Sequence, residues 1–237
     1  MRWCASCWPS SSTGPGVSCR AIPTTAADPT MIRNDPPPPD ARDAAPRLVL
    51  ASASPRRRHL LGQIGLAAEV RSADLDETPL PGEAPVDYVR RIALAKARAV
   101  RATGAAGARA VLAADTAVIC DDRMLGKPAD ADEAAGMLAL LSGRAHQVLT
   151  GVALLGSAER TVVSSTRVWF RAISAAEAAA YWDSGEPRDK AGGYAVQGLG
   201  AVFVERLEGS WSGVVGLPLF ETAELLAAEG LPVLTRR

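Results

Sequence analysis

Histidine, cysteine and aromatic residues are scarce in this 237-residue chain, which has two histidines, four cysteines and 5% Phe, Trp and Tyr. With only His59 and His146 there is no histidine-rich metal centre. Cys4 and Cys7 form a CxxC, but no second pair follows at zinc-site spacing, so a structural metal is not expected. Charge excess is also missing, since 26 Lys and Arg stand against 26 Asp and Glu. That balance excludes a broad basic surface for nucleic acid or for an anionic membrane, and any anion site must be local. No apolar run approaches the roughly 18 residues of a membrane span, and no continuous apolar segment of a secretory signal follows Arg2. The expected setting is the cytoplasm, without membrane or nucleic-acid partners. A Walker A pattern, a GxSxG and a supported Cys/His pair are all lacking, so P-loop and covalent-triad mechanisms have no basis. Gly198-Leu199-Gly200 is too short and wrongly placed to read as a dinucleotide fingerprint.

What is present changes character at about residue 46. The first 46 residues hold nine of the 17 prolines, including Pro36 to Pro39, and three of the four cysteines. Their composition predicts a disordered extension over 1–46, ahead of a globular domain over 47–237. Met31 stands shortly before the globular pattern, which raises the expectation that residues 1–30 are an upstream extension from a misplaced start codon. The whole chain, at 48% hydrophobic residues, can bury one good core or two small lobes.

From Arg47 onward short β-like runs alternate with helical ones, the pattern of an α/β fold. LVL precedes a helix that Ser52 or Ser54 can cap, with Pro55 at its first position, Leu60, Leu61 and Ile64 as its apolar stripe and Gly65 as its stop. A polar loop, ADLDETPLPGEAP, leads to a second helix with Val86, Val89, Ile92, Ala93 and Val100 in phase. VLAADTAVICDDRMLGKP reads as a hairpin turning at Asp121-Asp122. A helix over 130–141, strands in HQVLTGVALL and TVVSSTRVWFRAI, and a helix opened by a Ser174/Glu177 capping box come next. DKAGGYAVQGLG is a glycine-rich loop, AVFVERL a strand and PLFETAELLAAEG a closing helix.

Charge is oddly placed in this pattern. Arg56, Arg57 and Arg58 fall in the first turn of a helix, where the backbone dipole already presents positive charge and each cation loses roughly 0.3–1 kcal/mol. Something negative should sit there, and a strand, a serine-bearing turn and a helix start together suit phosphate. Lys96 lies in phase with the apolar stripe of the second helix, so it must snorkel outward or meet an anion. Asp115 interrupts an apolar β run, and a buried carboxylate costs several kcal/mol unless paired, metal-bound or protonated. Such a site raises its pKa and suits a general base for water. The plainer alternative is a salt bridge to Lys127, which hairpin pairing brings near. Among Asp74, Asp76, Glu77 and Glu83, a charge run that is ordinarily solvated, Glu77 is the candidate to hold a hard cation through oxygen. Cations to hold charge and an aspartate to ready water are the parts of polyphosphate hydrolysis.

ASASPRR, the LDET loop, AADT with GKP after it, and DKAGGYAVQG followed by VVGLPLFET, in this order from about Arg47 to Leu231, resemble the Maf family. The resemblance implies a two-lobed α/β fold related in architecture to the inosine triphosphate pyrophosphatases, with a twisted mixed sheet flanked by helices and a central cleft. It implies a nucleoside triphosphate pyrophosphatase that cleaves between the α and β phosphates with a divalent cation, Mg2+ or Mn2+, and a homodimeric assembly. By the same resemblance Asp115 is the proton acceptor and Arg56 contacts substrate. Thr116 and Gln197 bear on substrate choice, Ser54, Arg57, Lys96 and Lys127 surround the triphosphate, and Glu77 helps hold the metal. Gln197 resembles the branch acting on dTTP and UTP, whereas a branch acting on 7-methyl-GTP carries Glu there. A glutamine amide offers a donor and an acceptor to the imide edge of uracil or thymine. Two alternatives remain open, a modified-purine nucleotide pyrophosphatase and a nucleotide-binding regulator of septum formation that hydrolyses nothing.

Overall fold

Strand β1 (Leu48–Ala51) is buried along its whole length, as an unbroken apolar run demands of a central strand covered on both faces. The computed structural model describes residues 47–72 and 74–234. The proline-rich segment, its CxxC and Met31 lie outside the described residues. From β1 a three-residue loop enters helix α1 (Pro55–Gln63), where Pro55 occupies a position whose N–H would have no intrahelical partner. Gly65, at φ +74°, follows its end. Strand β2 (Ala68–Arg71), helix α2 (Pro85–Ala102), strands β3 (Ala110–Cys120) and β4 (Arg123–Leu125), and helix α3 (Ala131–Leu141) follow. Then come strands β5 (Ala145–Leu155) and β6 (Glu159–Phe170), helix α4 (Ala175–Asp183), strand β7 (Val204–Glu208) and helices α5 (Trp211–Val215) and α6 (Leu219–Ala228).

The strands form one mixed sheet in the order β2-β1-β3-β5-β6-β7, with β4 folded back on β3. β2 and β3 flank β1 in parallel, and the strands beyond β3 run antiparallel. The β3–β4 hairpin turns at Asp121 and Asp122, both at positive φ, as a two-residue turn that follows the strand twist requires. Alternation along β3 then sorts its side chains. Leu112, Ala114 and Val118 enter the larger core with Leu60, Leu138 and Leu226, while Val111 and Ala113 pack with Ala93, Ala97 and Val100 of α2. By the same alternation Asp115 falls on the α2 face and Thr116 on the opposite one.

Gly151 of β5 stands directly beside Asp115 in the register. A Cβ at Gly151 would collide with the Val89 carbonyl of α2, so the glycine lets the helix backbone settle onto the sheet next to the aspartate. Gly151→Ala is expected to lift α2 and lower stability by about 1–3 kcal/mol, the usual cost of overpacking, read as a lower urea midpoint at unchanged slope. An unchanged midpoint would show that the contact is soft.

Three elements differ from the sequence reading. AVFVERL is not one strand: Leu199–Phe203 form a 3-10 turn and β7 starts at Val204, because the Glu186 carboxylate takes the amides of Leu199 and Gly200 at 3.0 Å each. β2, a short and partly exposed sheet edge, and α5, a five-residue helix capped by Ser210, are too short to leave a periodic signal. The Ser174/Glu177 capping box is present as expected. No helix among the described residues is long and apolar enough to cross a membrane.

Candidate active site

The carboxyl end of a parallel strand that feeds a helix is where open α/β sheets place ligands, because backbone N–H groups converge there. A cleft of about 690 Å3 opens at that point, floored by the β1–α1 loop and β3 and walled by α2, the segment around 189–197 and α5. Ser54 occupies the N-cap of α1, yet neither serine caps it as expected. Ser54 makes no side-chain capping bond, and Ser52 Oγ instead accepts from the Ser54 amide at 3.2 Å and from Arg57 at 3.1 Å. The first-turn amides therefore lack a side-chain cap and remain suited to an anion.

The three arginines separate by position. Arg56 reaches Asp189 Oδ2 at 2.9 Å across the cleft. Arg57 donates to the Gly216 carbonyl at 2.8 Å and to Thr116 Oγ1 at 3.3 Å. Arg58 is exposed and does not line the cleft. Burial pushes the Arg57 guanidinium down from its ordinary value, against the pull of Asp115. Thr116 continues the chain to Thr150 Oγ1 at 3.0 Å, and Thr150 to the Gly213 carbonyl at 2.8 Å. One hydrogen-bonded line thus ties β3, β5 and α5 to the arginine.

Lys96 meets an anion rather than snorkelling. Its Nζ lies 2.7 Å from Asp115 Oδ1 and 2.8 Å from Glu77 Oε1. Asp115 is 6% exposed, and burial raises its carboxyl above the ordinary aspartate value even though Lys96 and Arg57 pull it down. The salt bridge with Lys127 considered from the hairpin is not formed: Lys127 is an exposed cation in the cleft lining, and Asp115's ion pair is with Lys96. The loop carrying Glu77 is not a free charge run either. Tyr88 Oη donates to the Glu77 carbonyl at 3.0 Å. Arg91 grips Glu83 with two bonds of 2.6 and 2.7 Å, which hold that carboxyl down at about 2. Gln197 sits exposed on a turn at the far wall of the cleft.

The structure thus brings Ser54, Arg56, Arg57, Glu77, Lys96, Asp115, Thr116, Lys127 and Gln197 to one cleft. Sequence reasoning overlooked Asp189 and Lys190, which line it too. Lys190 Nζ donates to Asp189 Oδ1 and to the Glu186 carbonyl, each at 2.6 Å. Their signal was a charged pair just ahead of the two glycines of a loop. His146 is buried behind the wall with Nε2 2.8 Å from the hydroxyl of Tyr194, and burial pushes it down to about 4, so it is neutral.

Hard divalent cations take one or two carboxylates and complete their shell with phosphate oxygens and water. Glu77, partly exposed beside Asp115, fits that donor chemistry. No three His, Cys, Asp or Glu side chains come together as a metal group among the described residues. The arrangement sets several cations suited to a polyphosphate around a buried carboxylate placed where it can take a proton, with an exposed amide on the far wall.

The family profile described as "Maf-like protein" matches residues 47–229. A dTTP/UTP pyrophosphatase of Anaeromyxobacter dehalogenans (strain 2CP-C) is 55% identical over 194 residues, covering 80% of this chain and 97% of the relative. That of Myxococcus xanthus (strain DK1622) is 57% identical over 186 residues, covering 78% and 94%. Among solved structures, a nucleoside-triphosphatase / dITP/XTP pyrophosphatase of Mycobacterium abscessus aligns at 21% identity over 76% of this chain and 92% of that chain. Its TM-score is 0.36.

Proposed function

This chain belongs to the Maf family, and on that premise we propose that it hydrolyses dTTP and UTP to the nucleoside monophosphate and pyrophosphate. The observation that carries this reading is Asp115, a buried carboxylate on the floor of a cleft rimmed by Arg56, Arg57, Lys96 and Lys127 and faced by Gln197. Water beside Asp115 gives up its proton to the carboxylate as its oxygen attacks the α-phosphorus, and the bond to the bridging oxygen breaks towards pyrophosphate. Arg56, Arg57 and Lys127 hold the triphosphate and the charge that grows on the leaving group. Lys96 links the two halves of the site. In the free protein it pairs with Asp115, and a triphosphate competes for the same ammonium, which leaves the carboxylate more basic. Ser54 and Thr116 position the phosphates and Arg57.

Glu77 would hold a magnesium or manganese ion, which supplies charge neutralisation when bound. The amide of Gln197 would read the imide edge of uracil or thymine. The reading extends to a catalytic domain over 47–237 and to a cytoplasmic homodimer. The test is pyrophosphate release from dTTP, UTP, CTP, 7-methyl-GTP, ATP and GTP with magnesium, manganese or EDTA. Release from dTTP and UTP that depends on metal is expected. Preference for 7-methyl-GTP would move the protein to the modified-purine branch, and no release from any triphosphate would make it a nucleotide-binding regulator.

A further inference from the structure

Gly198-Leu199-Gly200, meaningless as a dinucleotide fingerprint, has another explanation in the fold. Tyr181, in the last turn of α4, and Glu186, in the 3-10 turn that follows, form a pair: the Tyr181 hydroxyl donates to Glu186 Oε1 at 2.6 Å. The same hydroxyl accepts from the Ala195 amide at 3.0 Å. The Glu186 carboxylate accepts from the Leu199 and Gly200 amides at 3.0 Å each. Both ends of the 195–200 segment therefore close on one two-residue clamp, and Gln197 lies between them.

The glycines are what let the clamp close. A Cβ at Gly198 would overlap the Glu186 carboxylate, and one at Gly200 would stand 2.6 Å from the Tyr181 hydroxyl and 2.9 Å from the Ala195 carbonyl oxygen. Tyr181 is buried, and neither clamp residue lines the cleft. Burial raises the Glu186 carboxyl, and the hydroxyl and two amides more than offset it, leaving it below the ordinary value. An ionised acceptor is what three converging donors require.

We propose that Tyr181 and Glu186 are positioning residues that fix the 195–200 turn and so aim the Gln197 amide at the base, setting nucleotide selectivity without touching the nucleotide. The proposal rests on the reading of Gln197 as the base reader. Val196 anchors the near side of the turn in the core and the Gly198 amide donates to the Ala195 carbonyl at 3.3 Å, so the clamp is what holds the far side, at 199–200. A displacement of the order of 1 Å at a reading group is enough to cost roughly tenfold or more in a specific contact.

The experiment measures KM and kcat for dTTP and CTP, and inhibition by inorganic pyrophosphate, in wild type, Glu186→Gln, Tyr181→Phe, Gly198→Ala and Gln197→Ala, with thermal midpoints as a control for folding. Glu186→Gln and Tyr181→Phe are expected to raise KM for dTTP about tenfold and to lower the dTTP-over-CTP preference by a similar factor, with kcat changing far less. Gly198→Ala, which displaces the carboxylate without altering it, is expected to reproduce that loss. Pyrophosphate, having no base, is expected to inhibit all variants as it inhibits wild type. Pyrophosphate inhibition that weakened in step with KM would overturn the proposal, because the clamp would then act on the phosphate site through Lys190. So would wild-type preference in both clamp variants alongside its loss in Gln197→Ala. Unchanged preference in Gln197→Ala would instead remove Gln197 as the base reader, and the proposal with it.

Discussion

Asp115→Asn is expected to lower turnover about 10²–10⁴-fold, the contribution of a positioned general base, while the protein stays folded and no less stable. The stability half follows from linkage. Burial raises the Asp115 carboxyl in the folded protein above its ordinary value, so the folded state binds that proton more tightly than the unfolded chain does. This group's contribution to stability is then greatest below the ordinary aspartate range and falls as pH rises through the raised value. Above that raised value the ionised, buried carboxylate costs stability, and asparagine removes that cost. Lys96 retains Glu77 as its partner. Thermal midpoints at neutral pH are expected to equal or exceed the wild-type value, with the gap closing in acid. A midpoint several degrees lower would show that the Asp115–Lys96 pair stabilises the fold outright, and near-parental activity would remove Asp115 from the base role.

Lys96→Met is expected to damage both properties. Removing one partner of a buried ion pair costs on the order of 3 kcal/mol, here at the low end because Asp115 can take up a proton. For a domain of this size that corresponds to a fall of about 6–12 °C in thermal midpoint. Turnover is expected to drop by about 10²-fold through loss of a cation on the transferring group. With Lys96 gone the Asp115 carboxyl rises further, since the opposing cation is the largest influence holding it down. The acid limb of the rate profile should therefore move to higher pH. Lys96→Met combined with Asp115→Asn should recover most of the lost stability, because no buried charge is then left unpaired. An acid limb that stayed in place in Lys96→Met would argue that the limb belongs to another group.

Much of the site was legible because its residues break local rules. Arginines in the first turn of a helix, a lysine on an apolar stripe and an aspartate inside an apolar strand each contradict what burial and the helix dipole favour, and all but Arg58 face the cleft. Partner choice was less legible, since it depends on how α2 lies over the sheet. Hairpin register alone put Lys127 near Asp115, while the close approach at Gly151 put Lys96 there. Short elements were illegible for a different reason. β2 and α5 span too few residues for a period to show. Leu199–Phe203 has strand-like composition, but a carboxylate 13 residues upstream takes its first amide. Glu83 likewise reads as a solvated loop charge until the fold sets Arg91 against it. Long-range hydrogen bonds of this kind leave no local trace.

The most direct test of the central claim, water readied by Asp115 attacking the α-phosphorus, is a single turnover of dTTP in 18O-labelled water with mass analysis of both products. One labelled oxygen is expected in thymidine monophosphate and none in pyrophosphate. Label in pyrophosphate would place the attack at the β-phosphorus and contradict that claim.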